Sequence, residues 1–369
     1  MADRLRFGIL GCGRMGQEHV RNLLLTGASV EVIVEPDSAM RERILSLVPH
    51  VRFVDSLAAL VACRELDALV IATPNYQHGD QLLEVFAQSS LPILVEKPLV
   101  TRLEQVGVIR QAAVEYSAPI WVGMEYRFMP PMRNFCQQLQ AGAVGDLKML
   151  SIREHRLPFL RKVGDWNRFN RNSGGTLVEK CCHFFDLMRL ITEEEPIRVM
   201  ASAGQDVNHL REEYCGEVPD ILDNAFVIVD FDSGKRAMLD LSMFAQGSRY
   251  EQQVCAVGRR GKLECFIPGP KELWQDQQAQ PRVVLSPRRP VGPIDTEISI
   301  DDAVLEAGSH CGATYYEHLA FQKAMRGEGA VEVTLEDGLR AVVMGMAAQQ
   351  SAAAGRAVMI TDEGFGFES

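Results

Sequence analysis

The first third of the chain alternates short apolar runs with segments of helical composition. Continuous apolar runs cover residues 5–10, 30–34, 67–72, 92–95 and 119–123. Between them, segments with helical composition cover residues 14–25, 37–47, 77–88 and 103–115. Strands that are apolar on both faces and alternate with helices are typical of a parallel sheet covered on both sides. The pattern predicts an α/β domain in the N-terminal part of the chain.

A different pattern begins after about residue 126. Longer segments now alternate apolar and polar positions, over residues 148–156, 224–231, 236–244 and 252–257. Helical segments interrupt them at residues 175–191, 314–325 and 335–354. Such alternation is typical of antiparallel strands with one covered face. We therefore expect an α+β C-terminal domain with a large open, mostly antiparallel sheet.

We divide the chain into two domains, residues 1–125 and residues 126–369. The carboxyl ends of the parallel strands should face the second domain, and the cleft between the two is the expected active site. Residues 268–294, with many Pro, Gln and Arg, are predicted to form a long surface insertion.

Composition and charge exclude several classes of partner. The chain has 38 Lys and Arg against 49 Asp and Glu, a formal charge of −11, which argues against nucleic acid or an anionic membrane as a partner. No apolar run approaches the roughly 18 residues of a membrane span. The nine cysteines are odd in number and dispersed, unlike a secreted disulfide scaffold. We expect a reduced, cytoplasmic protein without a signal peptide.

A glycine-rich turn follows the first predicted strand and opens the first helix. Its sequence is Gly11-Cys12-Gly13-Arg14-Met15-Gly16, which matches G-x-G-x-x-G, the dinucleotide-binding turn of a Rossmann domain. The glycines would permit a tight turn, close approach of a pyrophosphate and close packing of the helix on the sheet. The helix N-terminus would then present free N–H groups to the phosphates. A Rossmann-like domain that kept the turn without binding a nucleotide is the alternative.

The end of the second predicted strand favours NAD over NADP. Glu35 lies 22 residues after Gly13, near the expected spacing of about 20. A carboxylate there would accept hydrogen bonds from the ribose hydroxyls of NAD and repel a 2′-phosphate. Arg41 and Arg43 could serve NADP, or could be solvated residues of the next helix.

Three further segments carry a resemblance to a known family. They are Thr73-Pro74-Asn75-Tyr76-Gln77-His78, then Glu96-Lys97-Pro98, then the run from Gly174-Gly175 through Glu179 and His183 to Asp186. In this order they resemble the T-P-N-x-x-H, E-K-P and G-G-G-x-x-x-D-x-G-x-H-x-x-D motifs of the Gfo/Idh/MocA oxidoreductases. This family includes glucose–fructose oxidoreductase and inositol dehydrogenase. The resemblance covers nearly the whole chain.

The resemblance implies that Lys97 is a catalytic base at the carboxyl end of a strand. A lysine that is partly desolvated and close to the charge of NAD⁺ can have its pKa lowered toward the working range. The resemblance also implies a cis Lys97–Pro98 bond, and Glu96 would either position Lys97 or contact the nicotinamide ribose. Residues Thr73, Pro74, Asn75 and His78 would line the path of the dinucleotide. His78 is equally compatible with a helix start or a core position.

The resemblance further implies that His183 contacts the reacting hydroxyl and relays its proton. Glu179 stands where the family has aspartate, one methylene shorter, and would accept a substrate hydroxyl or orient the catalytic pair. On one continuous helix Glu179, His183 and Asp186 would share a face, which we expect to border the cleft. A metal site at Glu179 and His183 is the rival use, but no further ligand spacing supports it, so we expect no metal. Lys180 and the Cys181-Cys182 pair have no assigned role.

Other candidate substrate contacts have two interpretations each. Arg127 could hold a substrate hydroxyl or a structural carboxylate. His155, with Arg156, could face the pocket or lie on a solvated strand face. Trp166 could wall the pocket or simply pack. His310 and Tyr315 are weaker candidates for a position on the far side of the pocket.

Together these features indicate an NAD-dependent oxidoreductase acting on a secondary hydroxyl of a sugar, cyclitol or sugar derivative. Lys97 with His183 would serve as general acid and base. The alternatives are an enzyme with tightly bound, recycled NAD (an aldose–aldose oxidoreductase or an NAD-using glycosidase) and a non-catalytic NAD-sensing regulator. One layer of helices cannot cover both faces of an open sheet, so we expect a homodimer or homotetramer.

Overall fold

The computed structural model describes residues 4–270, 279–361 and 364–368. Within these ranges the strands form two separate sheets, one in each half of the chain. No helix in the same ranges is long and apolar enough to cross a membrane.

The first sheet is parallel and, among the described residues, has six strands in the order β3-β2-β1-β4-β5-β6. Its strands are β1 (Arg6–Leu10), β2 (Ser29–Val34), β3 (Arg52–Phe53), β4 (Ala68–Ile71), β5 (Ile93–Glu96) and β6 (Ile120–Gly123). The helices that cover it are α1 (Arg14–Leu25), α2 (Ser38–Leu47), α3 (Leu57–Val61), α4 (His78–Gln88) and α5 (Glu104–Ala113). Strands β4 and β5 are buried along their whole length, as their continuous apolar runs predict. The predicted parallel sheet is confirmed, and the short β3 and α3 are additions to it.

The second sheet has ten strands within the described part of the chain, in the order β14-β13-β12-β11-β7-β10-β9-β8-β15-β16. All its described pairs are antiparallel except the parallel pair of β7 and β10, so the predicted mostly antiparallel sheet is confirmed. Its first strands are β7 (Leu147–His155), β8 (Pro196–Gly204), β9 (Asn224–Phe231), β10 (Arg236–Ser242) and β11 (Gln252–Gly258). The remaining strands are β12 (Gly261–Ile267), β13 (Arg282–Pro287), β14 (Ile294–Glu297), β15 (Val358–Thr361) and β16 (Gly366–Phe367).

The prediction of a long surface insertion over residues 268–294 is wrong for the part that the structure describes. Strand β13 pairs with β12, and β14 pairs with β13, so this segment extends the sheet at one edge. Val283 of β13 is buried. The Pro- and Arg-rich composition of this segment does not indicate that it contains a packed strand. Residues 271–278 lie outside the described residues.

The helices of the second half pack on one face of this sheet, on one another or on α1 of the first half. They are α6 (Pro130–Gln140), α7 (Asn170–Ser173), α8 (Thr176–Glu179), α9 (Cys182–Thr192), α10 (Asp302–Ala307), α11 (Ala313–Met325) and α12 (Leu335–Ala354). Short 3₁₀ turns lie at Asn75–Gln77, Glu125–Phe128, Val163–Arg168 and His310–Gly312. The predicted single helix over residues 175–191 is wrong, because the chain breaks between α8 and α9 at Lys180 and Cys181.

The other face of the second sheet carries exposed apolar side chains. Met200, Ile228 and Met238 are cross-strand neighbours on β8, β9 and β10, and each is at least 40% exposed. Phe226, two residues before Ile228 on the same face of β9, is 61% exposed. A contiguous apolar surface of this kind on a sheet is typical of a protein–protein contact.

Candidate active site

A cleft of about 2340 Å³ runs between the carboxyl ends of the parallel strands and the inner face of the second sheet. Its first-sheet side includes Gly11, Gly13, Glu35, Thr73, Glu96 and Lys97. Its opposite side includes Arg156, Lys162, Trp166, Glu179, His183 and Glu251. The glycine turn and the E-K-P segment, far apart in sequence, therefore border the same space.

The glycine turn has the geometry of a dinucleotide cradle. Gly11 has a φ of +91°, and a Cβ there would lie 2.8 Å from the carbonyl oxygen of Ala72. A Cβ at Gly16 would lie 2.1 Å from the carbonyl oxygen of Gly11, so α1 can approach the turn this closely only because residue 16 is glycine. A Cβ at Gly13 would meet no described atom within 4 Å, which leaves the approach to the turn open.

The N-terminus of α1 is free to bind an anion. Gly13 is its N-cap, no side chain caps the helix, and its first turn has no acidic residue. The first N–H groups of the helix therefore lack side-chain acceptors, and with Arg14 and Met15 they border the cleft. The residues present fit the diphosphate of a dinucleotide.

Glu35 is fixed beside this turn by backbone donors. Its Oε2 accepts from the N–H of Cys12 at 2.6 Å, and its Oε1 accepts from the N–H of Asp37 at 2.9 Å. The carboxylate is 6% exposed and borders the cleft. Arg41 also borders it, but its guanidinium donates to the Glu35 carbonyl and lies over the ring of Phe53. The position suits ribose hydroxyls, and Cys12 contributes through its backbone N–H while its side chain is in the core.

The segment after β4 contributes backbone and small polar groups, and it ties the two halves together. Thr73 donates to Gln81 at 2.5 Å, and Asn75 donates to the Ser173 carbonyl at 3.1 Å. Pro74 borders the cleft beside them. His78 is fully buried, with ring nitrogens 2.8 Å from the Pro98 carbonyl and 2.9 Å from the Thr73 carbonyl. Since both nitrogens face backbone oxygens, the structure favours the core interpretation of His78 over contact with a cofactor.

Lys97 extends into the cleft, and its Nζ donates to the carbonyl of Glu179 at 3.0 Å. The Lys97–Pro98 peptide bond is cis, as predicted. Burial acts to lower the pKa of Lys97, but Cys182, Glu125 and the other nearby acids raise that pKa above its ordinary value. This direction is opposite to the expected one, because the expectation included the positive charge of NAD⁺.

Glu96 precedes Lys97 and is held by a histidine that sequence reasoning missed. Its Oε1 lies 2.9 Å from Nε2 of His19, and its Oε2 accepts from the Lys97 N–H at 3.2 Å. The other ring nitrogen of His19 is 2.9 Å from Nε2 of His318 on α11. Burial opposes ionisation of Glu96, but the bond to His19 and the charges around it lower its pKa. Glu96 is therefore an ionised group at the base of the cleft.

His183 lies in the first turn of α9 and is almost fully buried, at 1% exposure. Its ring stacks on that of Tyr126, with centroids 4.0 Å apart and planes 10° apart. Burial, followed by the charges of Lys97 and Lys180, lowers the pKa of His183 well below its ordinary value. The imidazole is therefore unprotonated at neutral pH, which is the form that can take a proton transiently as a general base.

Glu179 ends α8, and its side chain faces Lys162. Its Oε1 accepts from Lys162 Nζ at 3.0 Å, and its Oε2 has no hydrogen-bond partner among the described residues. Because the helix breaks after Glu179, the predicted shared face of Glu179, His183 and Asp186 does not exist. Asp186 does not border the cleft, and its carboxylate pairs with Arg127.

The prediction that Arg127 binds substrate is contradicted by its position, and the alternative of a structural carboxylate holds. Its Nε donates to Asp186 at 2.6 Å, and Nη1 donates to the Glu332 carbonyl at 2.6 Å. A second bond joins Nη2 to Asp186, and Asp337 lies 3.5 Å away. With these acceptors around its guanidinium, Arg127 lies outside the lining of the cleft.

His155 is also placed outside the cleft. Side chains alternate along β7, so Glu154 faces the buried side and His155 the other, where its Nε2 lies 3.1 Å from Asp240 Oδ1. Arg156, one residue on, borders the cleft. Trp166 borders it too, and its ring meets that of Tyr76 from the first half at 6.3 Å between centroids, edge to face. The pocket-wall interpretation of Trp166 is therefore the one the geometry favours.

A buried group of ionisable side chains lies on this side of the cleft. Lys180 forms an ion pair with Glu154 at 2.9 Å and a hydrogen bond with the Tyr126 hydroxyl. Burial, then the charge of Arg156, lowers the pKa of Lys180, and burial, then Glu154, raises the pKa of Glu251 to about 7. The alternation along β7 could have revealed Glu154, but nothing local in the sequence marks Glu251.

Sequence reasoning missed one more cleft residue, Glu125, and indicated another, His310, only weakly. Glu125 follows β6 and lies between His183 and His310, at 3.5 and 3.4 Å. Burial, then the charge of Glu96, raises the pKa of Glu125 to about 8. Tyr315 does not border the cleft, whereas His310 does. Among the described residues, no group of three or more His, Cys, Asp or Glu is arranged to hold a metal ion.

Comparisons with known proteins agree with this arrangement. Residues 5–124 match the family model described as the NAD-binding Rossmann fold of the Gfo/Idh/MocA oxidoreductases, and residues 137–360 match that family's C-terminal alpha/beta domain. The inositol 2-dehydrogenase of Rhizobium meliloti is 30% identical over 262 residues, which cover 70% of this chain and 74% of that protein. The uncharacterised oxidoreductase YrbE of Bacillus subtilis is 26% identical over 98% of both chains.

A solved structure, that of a putative myo-inositol dehydrogenase from Sinorhizobium meliloti, has the same fold. Its TM-score is 0.75 at 24% identity, over 97% of this chain and 100% of that one. The two family models together cover the first sheet, strands β7 to β14 of the second sheet and both sides of the cleft. The chain therefore belongs to the Gfo/Idh/MocA family of NAD-binding oxidoreductases.

Proposed function

We propose that the protein is an NAD-dependent dehydrogenase or reductase that transfers hydride between the nicotinamide and a secondary hydroxyl or ketone of a sugar, cyclitol or sugar derivative. The observation that carries the proposal is that Lys97 and His183 border the same cleft as the glycine turn. The names of the inositol dehydrogenase relatives support a cyclitol-like substrate. Residues 1–125 would bind the dinucleotide, and residues 126–369 would bind the substrate.

Bound NAD⁺ would supply the hydride acceptor. The residues supply binding and a proton acceptor for the hydroxyl group, which must lose its proton as hydride leaves carbon. Lys97 is held toward the reacting centre by the Glu179 carbonyl, and His183 is neutral and unprotonated. In oxidation Lys97 and His183 bind the hydroxyl and the neutral His183 takes its proton, and in reduction His183 returns it.

The cleft suits a neutral polyol. Its substrate side presents the cations Lys162, Lys180 and Arg156, and these are balanced by nearby carboxylates. Lys162 pairs with Glu179, and Lys180 pairs with Glu154, so neither ammonium is left for a substrate carboxylate. The free Oε2 of Glu179 can accept a hydrogen bond from a substrate hydroxyl.

Glu35 supports NAD over NADP, since its carboxylate is where a 2′-phosphate would be repelled. All nine cysteines, each within the described residues, are free thiols, which supports a reducing, cytoplasmic location.

The apolar outer face that includes Met200, Phe226 and Ile228 supports a homodimer or homotetramer. Light scattering of a Phe226→Asp variant tests this, and an unchanged mass would refute contact through that face.

A spectrophotometric screen tests the activity. Purified protein with NAD⁺, and separately NADP⁺, is offered inositols, aldoses, anhydro-sugars and uronic acids. We expect NADH formation with one stereochemical group, lost in Lys97→Met and kept in Lys148→Met, which changes an exposed lysine paired with Asp146.

Other outcomes separate the alternatives. Silence across the panel with NAD co-purifying in the protein, but sugar-to-sugar transfer detected by mass spectrometry, would favour recycled NAD. Tight NAD binding with no conversion of any kind, unchanged in Lys97→Met, would favour the non-catalytic sensor.

A further inference from the structure

Glu125 occupies a position that the reaction assigned above does not use. It follows β6, next to the carboxyl end of β5, and begins the 3₁₀ turn Glu125–Phe128. It is 3% exposed and borders the cleft beside Lys97 and His183. Its Oε2 has no hydrogen-bond partner among the described residues. A buried carboxyl with an unpartnered oxygen is costly, and its retention calls for a role.

Each carboxyl oxygen of Glu125 faces a different imidazole. Oε2 lies 3.5 Å from Nε2 of His183, and Oε1 lies 3.4 Å from Nδ1 of His310. Both distances slightly exceed the ~2.7–3.2 Å of an N–H···O bond, so a small rotation of the carboxyl brings either contact within range. The three groups thus form a continuous row.

The row leads from the interior to solvent. The side chains of His183 and Glu125 are 2% and 4% exposed, whereas that of His310 is 25% exposed. The outer end is also held in an uncommon backbone conformation. His310 and the next residue, Cys311, have φ angles of 50° and 57°, which residues other than glycine rarely adopt. Strained positions of this kind cluster at functional sites, because they fix a side chain where function needs it.

The chemistry requires such a route. Oxidation of an alcohol releases one proton for every hydride transferred, and this proton must leave a site whose base is almost fully buried. We propose that Glu125 relays the substrate-derived proton from His183 to His310, and that His310 passes it to water. The inference rests on the proposed dehydrogenase function, and Glu125 acts in it as a positioning and relay residue that need not touch the substrate.

The relay balances without any co-reactant. The hydroxyl proton passes to Nδ1 of His183, which has no hydrogen-bond partner in the described residues. Nε2 of His183 gives up its own proton to Oε2 of the Glu125 carboxylate. The carboxyl then turns so that this O–H faces Nδ1 of His310 and protonates it, and Nε2 of His310 releases a proton to water. No electrons move along this row, and each group returns to its starting state after a tautomer exchange. In reduction the proton travels inward by the same steps.

The charges around Glu125 are compatible with both of its protonation states. Glu96 and Lys97 face it from the end of β5, Lys180 from the segment that joins α8 to α9, Cys182 from the start of α9, and Glu317 from α11. Burial, then Glu96, raises the pKa of Glu125 to about 8, while Lys97 and Lys180 act against this shift. Burial, then Lys97, lowers the pKa of His183, so transfer from its imidazolium to the Glu125 carboxylate is downhill. Burial, then Lys180, lowers the pKa of His310 as well, so the step from the Glu125 carboxyl to His310 is uphill and is completed by loss of the proton to water.

A measurement without turnover tests the coupling of these groups. Protein labelled with ¹³C at histidine Cε1 and glutamate Cδ is titrated by NMR from pH 5 to 10. We expect a glutamate carboxyl with a midpoint near 8, absent in Glu125→Gln, and changes in the histidine signals of His183 and His310 over the same pH range. If Glu125 titrates without a change in the signal of either histidine, the relay is refuted, whatever the substrate proves to be.

A second arm measures proton transfer with the polyol that gives NADH in the screen. We expect Glu125→Gln to lower kcat of oxidation about tenfold or more, since assisted proton transfer contributes ~10²–10⁴-fold, with the Kd for NAD⁺ unchanged. The rise in kcat with pH near 8 should disappear. In His310→Ala the lost rate should be restored by added imidazole, which no purely structural role explains.

The control is Glu264→Gln, which removes a carboxylate of β12 that is paired with Lys262 outside the cleft. It should keep the rate and pH profile of the unaltered protein. An unchanged pH profile in Glu125→Gln, or a loss in His310→Ala that imidazole does not restore, would overturn the relay. If no polyol is oxidised, the proposed function fails, and the NMR arm still decides whether the three groups are coupled.

Discussion

Replacement of Arg127 distinguishes a structural from a substrate-binding role. The guanidinium makes two hydrogen bonds to Asp186 and one to the Glu332 carbonyl. The side chains of Arg127 and Asp186 are 10% and 1% exposed, so the pair is buried. In Arg127→Met the Asp186 carboxylate stays in a low-dielectric site without its main counter-charge.

The expected cost follows from this burial. Removing one partner of a buried ion pair costs about 3–5 kcal/mol, because the remaining charge is uncompensated. An exposed pair contributes about 0–1 kcal/mol, and Arg133→Met supplies this comparison because Arg133 pairs with Glu332 at 40% exposure. The double variant Arg127→Met/Asp186→Leu should regain part of the loss, since no charge is then left buried.

Urea unfolding gives the free energies, and steady-state kinetics with the screened polyol gives KM. We expect a free energy of unfolding reduced by about 3–5 kcal/mol in Arg127→Met. KM of the folded fraction should stay close to that of the unaltered protein. A tenfold increase in KM with stability equal to that of Arg133→Met would refute the reasoning and restore Arg127 to the substrate site.

Three further predictions concern the dinucleotide site and acid stability. Gly16→Ala should destabilise the fold, because the added Cβ would lie 2.1 Å from the Gly11 carbonyl oxygen. Gly13→Ala should keep the melting temperature, because its Cβ points into open space, and calorimetry should show weaker NAD⁺ binding. Glu35→Ala should weaken NAD⁺ binding at least tenfold, because the acceptor for the ribose hydroxyls is lost. In the same titrations the preference for NAD⁺ over NADP⁺ should become smaller, because a 2′-phosphate is no longer repelled. An unchanged preference would contradict this assignment. Burial acts to raise the pKa of Glu212, but hydrogen bonds from a histidine and a tyrosine lower it to about 2. Its stabilisation is therefore present above the unfolded-state pKa of about 4.3 and lost as pH falls toward 2, and thermal melts should show a smaller acid loss in Glu212→Gln.

The sequence was most informative where structure depends on neighbours along the chain. The apolar run of β4 and the glycine turn before α1 are local patterns, and each predicted its element within one or two residues. The order of the motifs then identified the family, and Lys97, Glu179 and His183 all border the cleft.

The helix break after Glu179 shows where local patterns fail. Residues 176–182 contain no glycine or proline that would predict an end to the helix. The reasons lie far away in sequence. Helix α8 packs so closely on α12 that a Cβ at Gly345 would lie 2.4 Å from the Leu177 carbonyl oxygen, and Lys180 is drawn toward Glu154 of β7.

His155 and Glu125 illustrate the same limit in the site. His155 lies on the outer face of the sheet, whereas its neighbours along the chain, Glu154 and Arg156, lie on the opposite face. Which of the two faces is covered by the rest of the protein depends on how the sheet is paired and packed. Glu125 gains its importance from His183 and His310, which come from elements 58 and 185 residues further along the chain. Such meetings depend on tertiary packing, which spacing in sequence does not reveal.

Isotope transfer tests the central claim most directly. Myo-inositol carrying deuterium on its ring carbons, or the corresponding deuterated polyol from the screen, is incubated with the protein and NAD⁺, and the nicotinamide is analysed by mass spectrometry. The account predicts one deuterium in the reduced cofactor, transferred by the unaltered protein and by Lys148→Met but not by Lys97→Met. Bound NAD⁺ that acquires no deuterium from any polyol of the panel, or equal transfer in Lys97→Met, would contradict it.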